Sequence, residues 1–125
     1  MQSFETTGTQ STPTIRANWE EGTLFMEGDS YPENSYEQFR PVFDWIEAFL
    51  NTAGRPLLLD LHLLYLNTSS IKAMMDIFDR LESAHAAGQA VSVRWSYDRR
   101  NERVGELAEE FREDCSFPFA IEPSA

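Results

Sequence analysis

Apolar residues recur with two different periods along this chain, and the change from one to the other marks out the elements. The clearest run is Pro56 to Leu66, where Leu57, Leu59, Leu61, Leu63 and Tyr65 alternate with Leu58, Asp60, His62, Leu64 and Leu66. Alternation of this kind predicts a strand with one apolar face and one mixed face. Val91, Val93, Trp95 and Tyr97 against Ser92, Arg94 and Ser96 predict a second such strand over Ala90 to Tyr97. Helical spacing takes over at Phe39, Val42, Phe43, Ile46, Phe49 and Leu50, again at Ile71, Met74, Met75, Phe78, Leu81 and His85, and again at Val104, Leu107, Ala108 and Phe111. Each set makes one apolar stripe on a helix.

The boundaries carry their own chemistry. Ser35 and Gln38 fit a capping box for the first helix, and Gly54 fits its end. Pro41 falls inside that stretch, where it predicts a kink or a late start. Asn67-Thr68-Ser69-Ser70 opens the second helix and Gly88 closes it. Thr12 to Trp19 and Thr23 to Gly28 predict an antiparallel hairpin around Glu20-Glu21-Gly22, and Phe117 to Glu122 a short last strand. Asp29 to Asn34 reads as a loop, with Pro32 disfavouring helix at Tyr31.

Helices joining the later strands imply parallel pairing through right-handed crossovers. A sheet covered on both sides reads apolar on both faces, whereas here one face keeps Asp60, His62 and Arg94. The expectation is therefore a single α/β domain over residues 12–125: an N-terminal β-hairpin plus a mixed sheet with helices mainly on one face. Residues 1–11, polar throughout apart from Met1 and Phe4, read as a flexible tail.

Charge narrows the function classes. The chain holds 21 Asp and Glu against 10 Lys and Arg, a formal charge of −11 over 125 residues. Residues 1–66 carry ten acids and three bases, and residues 67–125 eleven and seven. Neither half offers the cationic footprint that a phosphate backbone or an anionic membrane requires. No apolar stretch approaches the roughly 18 residues of a membrane span, and the N-terminal residues lack a signal core. The chain reads as cytoplasmic. A lone cysteine, Cys115, allows no internal disulfide, and its neighbours Glu113 and Asp114 argue against a reactive thiolate.

Catalytic signatures are absent from the sequence: there is no phosphate-binding glycine loop, zinc-protease motif or nucleophile elbow. Asp60, His62 and Arg94 on the mixed sheet face are the one set from which a small enzyme could be built. Two segments are more informative. In Tyr65-Leu66-Asn67-Thr68-Ser69-Ser70 a strand runs into a helix through four small polar residues, more than one cap needs. A phosphate placed on a hydroxyl there meets helix N–H groups and the positive end of the dipole, with Lys72 one turn on. Plain capping, as in a constitutive adaptor, accounts for the same residues. In Gly28-Asp29-Ser30-Tyr31-Pro32-Glu33-Asn34 an aromatic, a proline and two acids precede a capped helix, which suits a recognition edge or a simple turn.

These two segments resemble the hallmark motifs of the SiaC-type bacterial regulatory phosphoproteins. The likeness extends to Thr12-Pro13-Thr14-Ile15, to the Val91–Tyr97 strand and to Phe117-Pro118-Phe119. It implies a fold similar to the STAS domain of anti-sigma-factor antagonists and a role in partner switching. A cognate protein kinase would phosphorylate Thr68, a metal-dependent Ser/Thr phosphatase would reverse this, and the unphosphorylated form would activate a diguanylate cyclase, raising cyclic di-GMP and promoting biofilm or aggregation. Asn67, Ser69, Ser70 and Lys72 flank the switch by position. Asp29, Ser30, Tyr31, Pro32, Glu33 and Asn34 are the candidate partner-binding residues. No cofactor or metal is implied. Arg99-Arg100-Asn101 departs from the resemblance, since many such proteins carry acids there.

Overall fold

A computed structural model describes residues 3–124. Six strands form one sheet in sequential order: β1 (Phe4–Thr6), β2 (Thr14–Asn18), β3 (Thr23–Ser30), β4 (Leu57–Leu66), β5 (Val91–Asp98) and β6 (Phe119–Ser124). Three helices connect the later strands: α1 (Ser35–Thr52), α2 (Thr68–Ala86) and α3 (Glu102–Glu113). β1, β2 and β3 pair antiparallel, while β3 to β6 pair parallel. The sheet order never reverses, so right-handed crossovers place all three helices on the same side. Burial agrees. Leu24, Met26, Leu57, Leu59, Leu61, Leu63, Val93 and Trp95 are inaccessible or nearly so on the helix-covered face, whereas Arg16 and Arg94 are exposed and Asp60 and His62 half-buried on the other.

Four expectations are corrected. The segment read as a tail supplies β1, whose Phe4 pairs with Ala17 and whose Thr6 pairs with Ile15. Ser3 Oγ accepts a hydrogen bond from Trp19 N at 2.7 Å. Asp29 and Ser30, read as loop, finish β3. The pairing explains this: Gly28 faces Leu63 but Asp29 faces Tyr65, so Leu64 is an extra residue in β4. That bulge breaks the alternation, exposing Tyr65 and burying Leu66. Ser35 is not the helix cap. Asn34 holds that position, its side chain accepting from Glu37 N at 3.2 Å. Met75, placed by its spacing in an apolar stripe, is exposed, and the buried face of α2 runs through Ser70, Ala73, Met74, Ile77, Phe78 and Leu81.

The hairpin turn requires glycine. Gly22 has φ +70°, and a Cβ there would meet the Pro56 carbonyl oxygen. Arg55 fastens the same corner, donating to the Trp19 carbonyl at 2.7 Å and to that of Glu20 while its guanidinium lies over the Phe49 ring. The core around it is aromatic, with Trp45 stacked on Phe49 at 5.3 Å.

Pro41 lies inside α1 without ending it. Its ring nitrogen gives the Glu37 carbonyl no donor, a loss relative to alanine of up to about 3 kcal/mol in a helix interior. Because proline also restricts the unfolded chain, the expected gain for Pro41→Ala is about 1–2 kcal/mol in urea unfolding. A loss of stability would show that the ring packs usefully.

Candidate functional site

The two informative segments meet at the carboxyl ends of β3 and β4. Asn67 joins them. Its backbone N–H donates to the Ser30 carbonyl at 3.0 Å, its side-chain amide donates to the Pro32 carbonyl at 3.0 Å, and its Oδ1 accepts from Ser70 N at 2.9 Å. One side chain therefore caps α2 and holds the 31–34 loop against it. The Tyr31 and Tyr65 rings meet edge to face at 5.9 Å, and Tyr31 N donates to the Ser11 carbonyl at 2.8 Å.

Beneath this junction lies a cluster that spacing alone does not show. Ser30, Ser35 and Ser70 are each fully buried. Ser70 Oγ sits at the centre, 2.7 Å from Ser30 Oγ and 2.8 Å from Ser35 Oγ. Ser69 Oγ accepts from Ser35 N at 3.1 Å. The strand, the loop–helix start and α2 are thus tied by hydroxyls from three separate stretches of chain. Ser35 has no place among the sequence-derived site residues, yet it belongs to the site.

The four polar residues consequently differ in availability. Asn67 is the cap, Ser69 is half-buried and already an acceptor, and Ser70 is closed off in the cluster. Thr68 is exposed. It is the first residue of α2, so its own N–H and that of Ser69 are the unused donors of the capped turn. Lys72 is exposed on the same helix face, four residues on. Its carbonyl accepts from the Tyr36 hydroxyl at 3.3 Å. Asp29 is half-buried at the end of β3, and Glu33 and Asn34 are exposed. Thr68 stands at the positive end of the α2 dipole.

The structure also brings together the alternative set on the open sheet face. Arg94 grips Asp60 at 2.9 and 3.4 Å, and His62 Nε2 lies 3.2 Å from the same carboxylate. Hydrogen bonding to Asp60 raises the Arg94 pKa further, fixing its charge. Both carboxylate oxygens are engaged by Arg94, so the arrangement is an ion-paired surface. His85 packs edge-on to Phe117 at 6.3 Å, far along α2 from the junction. No group of acids, histidines and cysteine suited to a metal exists among the described residues, and no helix there is long and apolar enough to cross a membrane.

Arg100 and Asn101, in the departing turn, serve the local structure. Arg100 forks onto Asp98 at 2.8 and 3.1 Å and holds that carboxyl down at about 2. Asn101 caps α3 and donates to the Leu64 carbonyl at the bulge, 3.2 Å away. Cys115 is unreactive by position: burial first, then Glu82, Asp114 and Asp79, push its thiol up to about 11. Alkylation of the native protein at pH 8 is expected to run about 200-fold slower than for an ordinary thiol near 8.5, because the thiolate fraction falls accordingly. Equal rates for native and urea-unfolded protein would contradict that assignment.

Comparison with known proteins converges on one family. Residues 6–124 match the model for the SiaC family regulatory phosphoprotein. An uncharacterized protein of Pseudomonas aeruginosa (strain UCBPP-PA14) is 69% identical over 122 residues, covering 98% of this chain and 97% of that protein. The crystal structure of apo-SiaC from P. aeruginosa superposes with a TM-score of 0.93 at 67% identity, over 98% of this chain and 99% of the other. A chain in the crystal structure of the diguanylate cyclase SiaD with its activator SiaC, also from P. aeruginosa, matches at 68% identity and TM-score 0.93, over 97% and 99%.

Proposed function

This chain belongs to the SiaC family of regulatory phosphoproteins, and from that premise we propose that its unphosphorylated form binds and activates a diguanylate cyclase. Phosphorylation of Thr68 by a cognate protein kinase stops this, and a metal-dependent Ser/Thr phosphatase restores it. The protein itself contributes a docking surface and no catalytic group. The observation that carries the site is the contrast in availability: Thr68 is exposed, while Ser69 is engaged and Ser70 lies in the buried cluster. The relative at 68% identity, solved together with the cyclase it activates, supports the choice of partner.

The switch works through charge at a fixed point. A phosphothreonine adds about −1.5 to −2 charge and three acceptor oxygens. The free protein stabilises it with the N-terminus of α2 and Lys72, and a docked partner must strip that solvation away.

The test is cyclic di-GMP production by the cyclase in the presence of this protein, its kinase and ATP. Wild type should lose its stimulation as the phosphate accumulates. Thr68→Asn, which leaves the Asn67 cap in place and offers no hydroxyl, should stimulate before and after kinase treatment. Thr68→Asp should stimulate less than wild type. Equal stimulation by phosphorylated and unmodified wild type would refute the switch and leave a constitutive adaptor.

A further inference from the structure

We infer that Tyr31, Tyr65, Tyr36 and Met75 form a docking collar around Thr68 for an apolar segment of the cyclase flanked by Lys and Arg. The inference rests on the function proposed above and adds the side chains that hold the partner and the chemistry the partner must bring.

The large hydrophobic side chains that remain exposed among the described residues are not scattered. They are Tyr31, Tyr36, Leu64, Tyr65 and Met75, from 39% exposed at Tyr31 to 54% at Tyr65. Tyr65 stands three residues before Thr68 and carries Tyr31 against its ring. Met75 lies seven residues after Thr68, two turns along the same helix face with Lys72 between them. Tyr36 reaches across from α1 to the Lys72 carbonyl and shares a groove with Met75, Asp76 and Asp79. Leu64 stands apart, beside His62 and Tyr97. Exposed aromatics and methionine grouped in this way mark interaction surfaces, since they supply contact area at low ordering cost.

Charge selects the occupant. The segments 27–37 and 64–79 that build the collar hold six acids, Glu27, Asp29, Glu33, Glu37, Asp76 and Asp79, against one base, Lys72, and among the described residues only Asp76 is paired by a neighbouring base, Arg80 at 3.5 Å. A second copy of this chain would bring the same acids to the contact, on a molecule of formal charge −11. A segment with apolar anchors and basic flanks matches both the centre and the rim.

A basic partner raises the question of why added negative charge should weaken binding. Thr68 sits inside the collar, where a docked apolar segment excludes water. The acids sit at its edge, where Lys and Arg of the partner stay partly solvated. The phosphate loses its hydration without meeting a cation, so dissociation quickens. Long-range attraction between the two molecules survives, so association does not slow.

Binding kinetics of the purified full chain on purified P. aeruginosa SiaD test this. Tyr65→Ala and Met75→Ala should each weaken binding at least tenfold through faster dissociation, with melting temperatures within about 2 °C of wild type. Glu106→Ala on the exposed face of α3 should change nothing. Association should slow as salt rises. Thr68 phosphorylation should raise the dissociation rate about 100-fold and leave the association rate within about threefold. If wild type binds and phosphate releases it, while Tyr65→Ala and Met75→Ala bind normally, the collar is wrong and the function stands. If wild type does not bind the cyclase, the function itself fails and the collar with it. A dimer of the unmodified protein that Tyr65→Ala dissociates would make the collar a self-association surface and overturn the assignment.

Discussion

Replacing Ser70 by alanine should destabilise the protein by about 2–4 kcal/mol, although it deletes a single oxygen. Ser70 Oγ is the shared partner of the Ser30 and Ser35 hydroxyls, and all three side chains are closed to solvent. Its removal strands two buried hydroxyls, each costing about 1–3 kcal/mol. For a domain whose whole stability is about 5–15 kcal/mol, that is a drop in melting temperature of roughly 10 °C. Ser30→Ala or Ser35→Ala leaves one hydroxyl pair intact and should cost less. The triple alanine variant leaves no stranded hydroxyl and should be more stable than Ser70→Ala alone, a clear departure from additivity. Calorimetric melting of the five proteins checks the pattern. A Ser70→Ala protein within about 0.5 kcal/mol of wild type would mean that the cluster does not join the two motifs.

Phosphorylation at Thr68 should lower affinity for the cyclase at least about 100-fold, or roughly 2.7 kcal/mol. Two effects add. The free phosphoprotein is stabilised at the α2 N-terminus, so binding begins from a lower level. The docked phosphate is then desolvated, and burying an unpaired charge costs several kcal/mol. The chain offers little neutralisation of its own, with Lys72 the one base in segments 27–37 and 64–79. Thr68→Asp should reproduce only part of the loss, because a carboxylate carries one charge and lacks the phosphate's third oxygen. Calorimetric titration of the cyclase with each form reads both values. A phosphoprotein that binds within threefold of the unmodified form would contradict the prediction.

Legibility followed periodicity. β4 and β5 stand out because Leu57 to Leu63 and Val91 to Trp95 alternate cleanly over a sheet with one helix-covered face. β1 has only Phe4 to show for itself, too short to establish a period, and its pairing comes from Ile15 and Ala17 nine to thirteen residues away. The end of β3 was hidden by the Leu64 bulge, a feature of pairing rather than of either strand. Ser35 satisfies a capping rule, but Asn34 satisfies it one residue earlier and frees Ser35 for the buried cluster. The cluster itself joins residues 40 apart, Ser30 and Ser70, which no local pattern reports. A signal did exist. Ser70 is four residues before Met74 and seven before Ile77, both buried, whereas Thr68 stands four before Lys72 and seven before Met75, both exposed. Extending the helical period backwards into the polar run separates the buried serine from the exposed threonine.

That separation is the central claim, and a site-resolved phosphate map tests it most directly. The wild-type chain is incubated with its kinase and ATP, weighed intact, and then fragmented to locate the phosphate. One phosphate per chain, on Thr68, with no incorporation into Thr68→Ala, is the predicted result. Phosphate on Ser69 or Ser70 while Thr68 stays unmodified would contradict it.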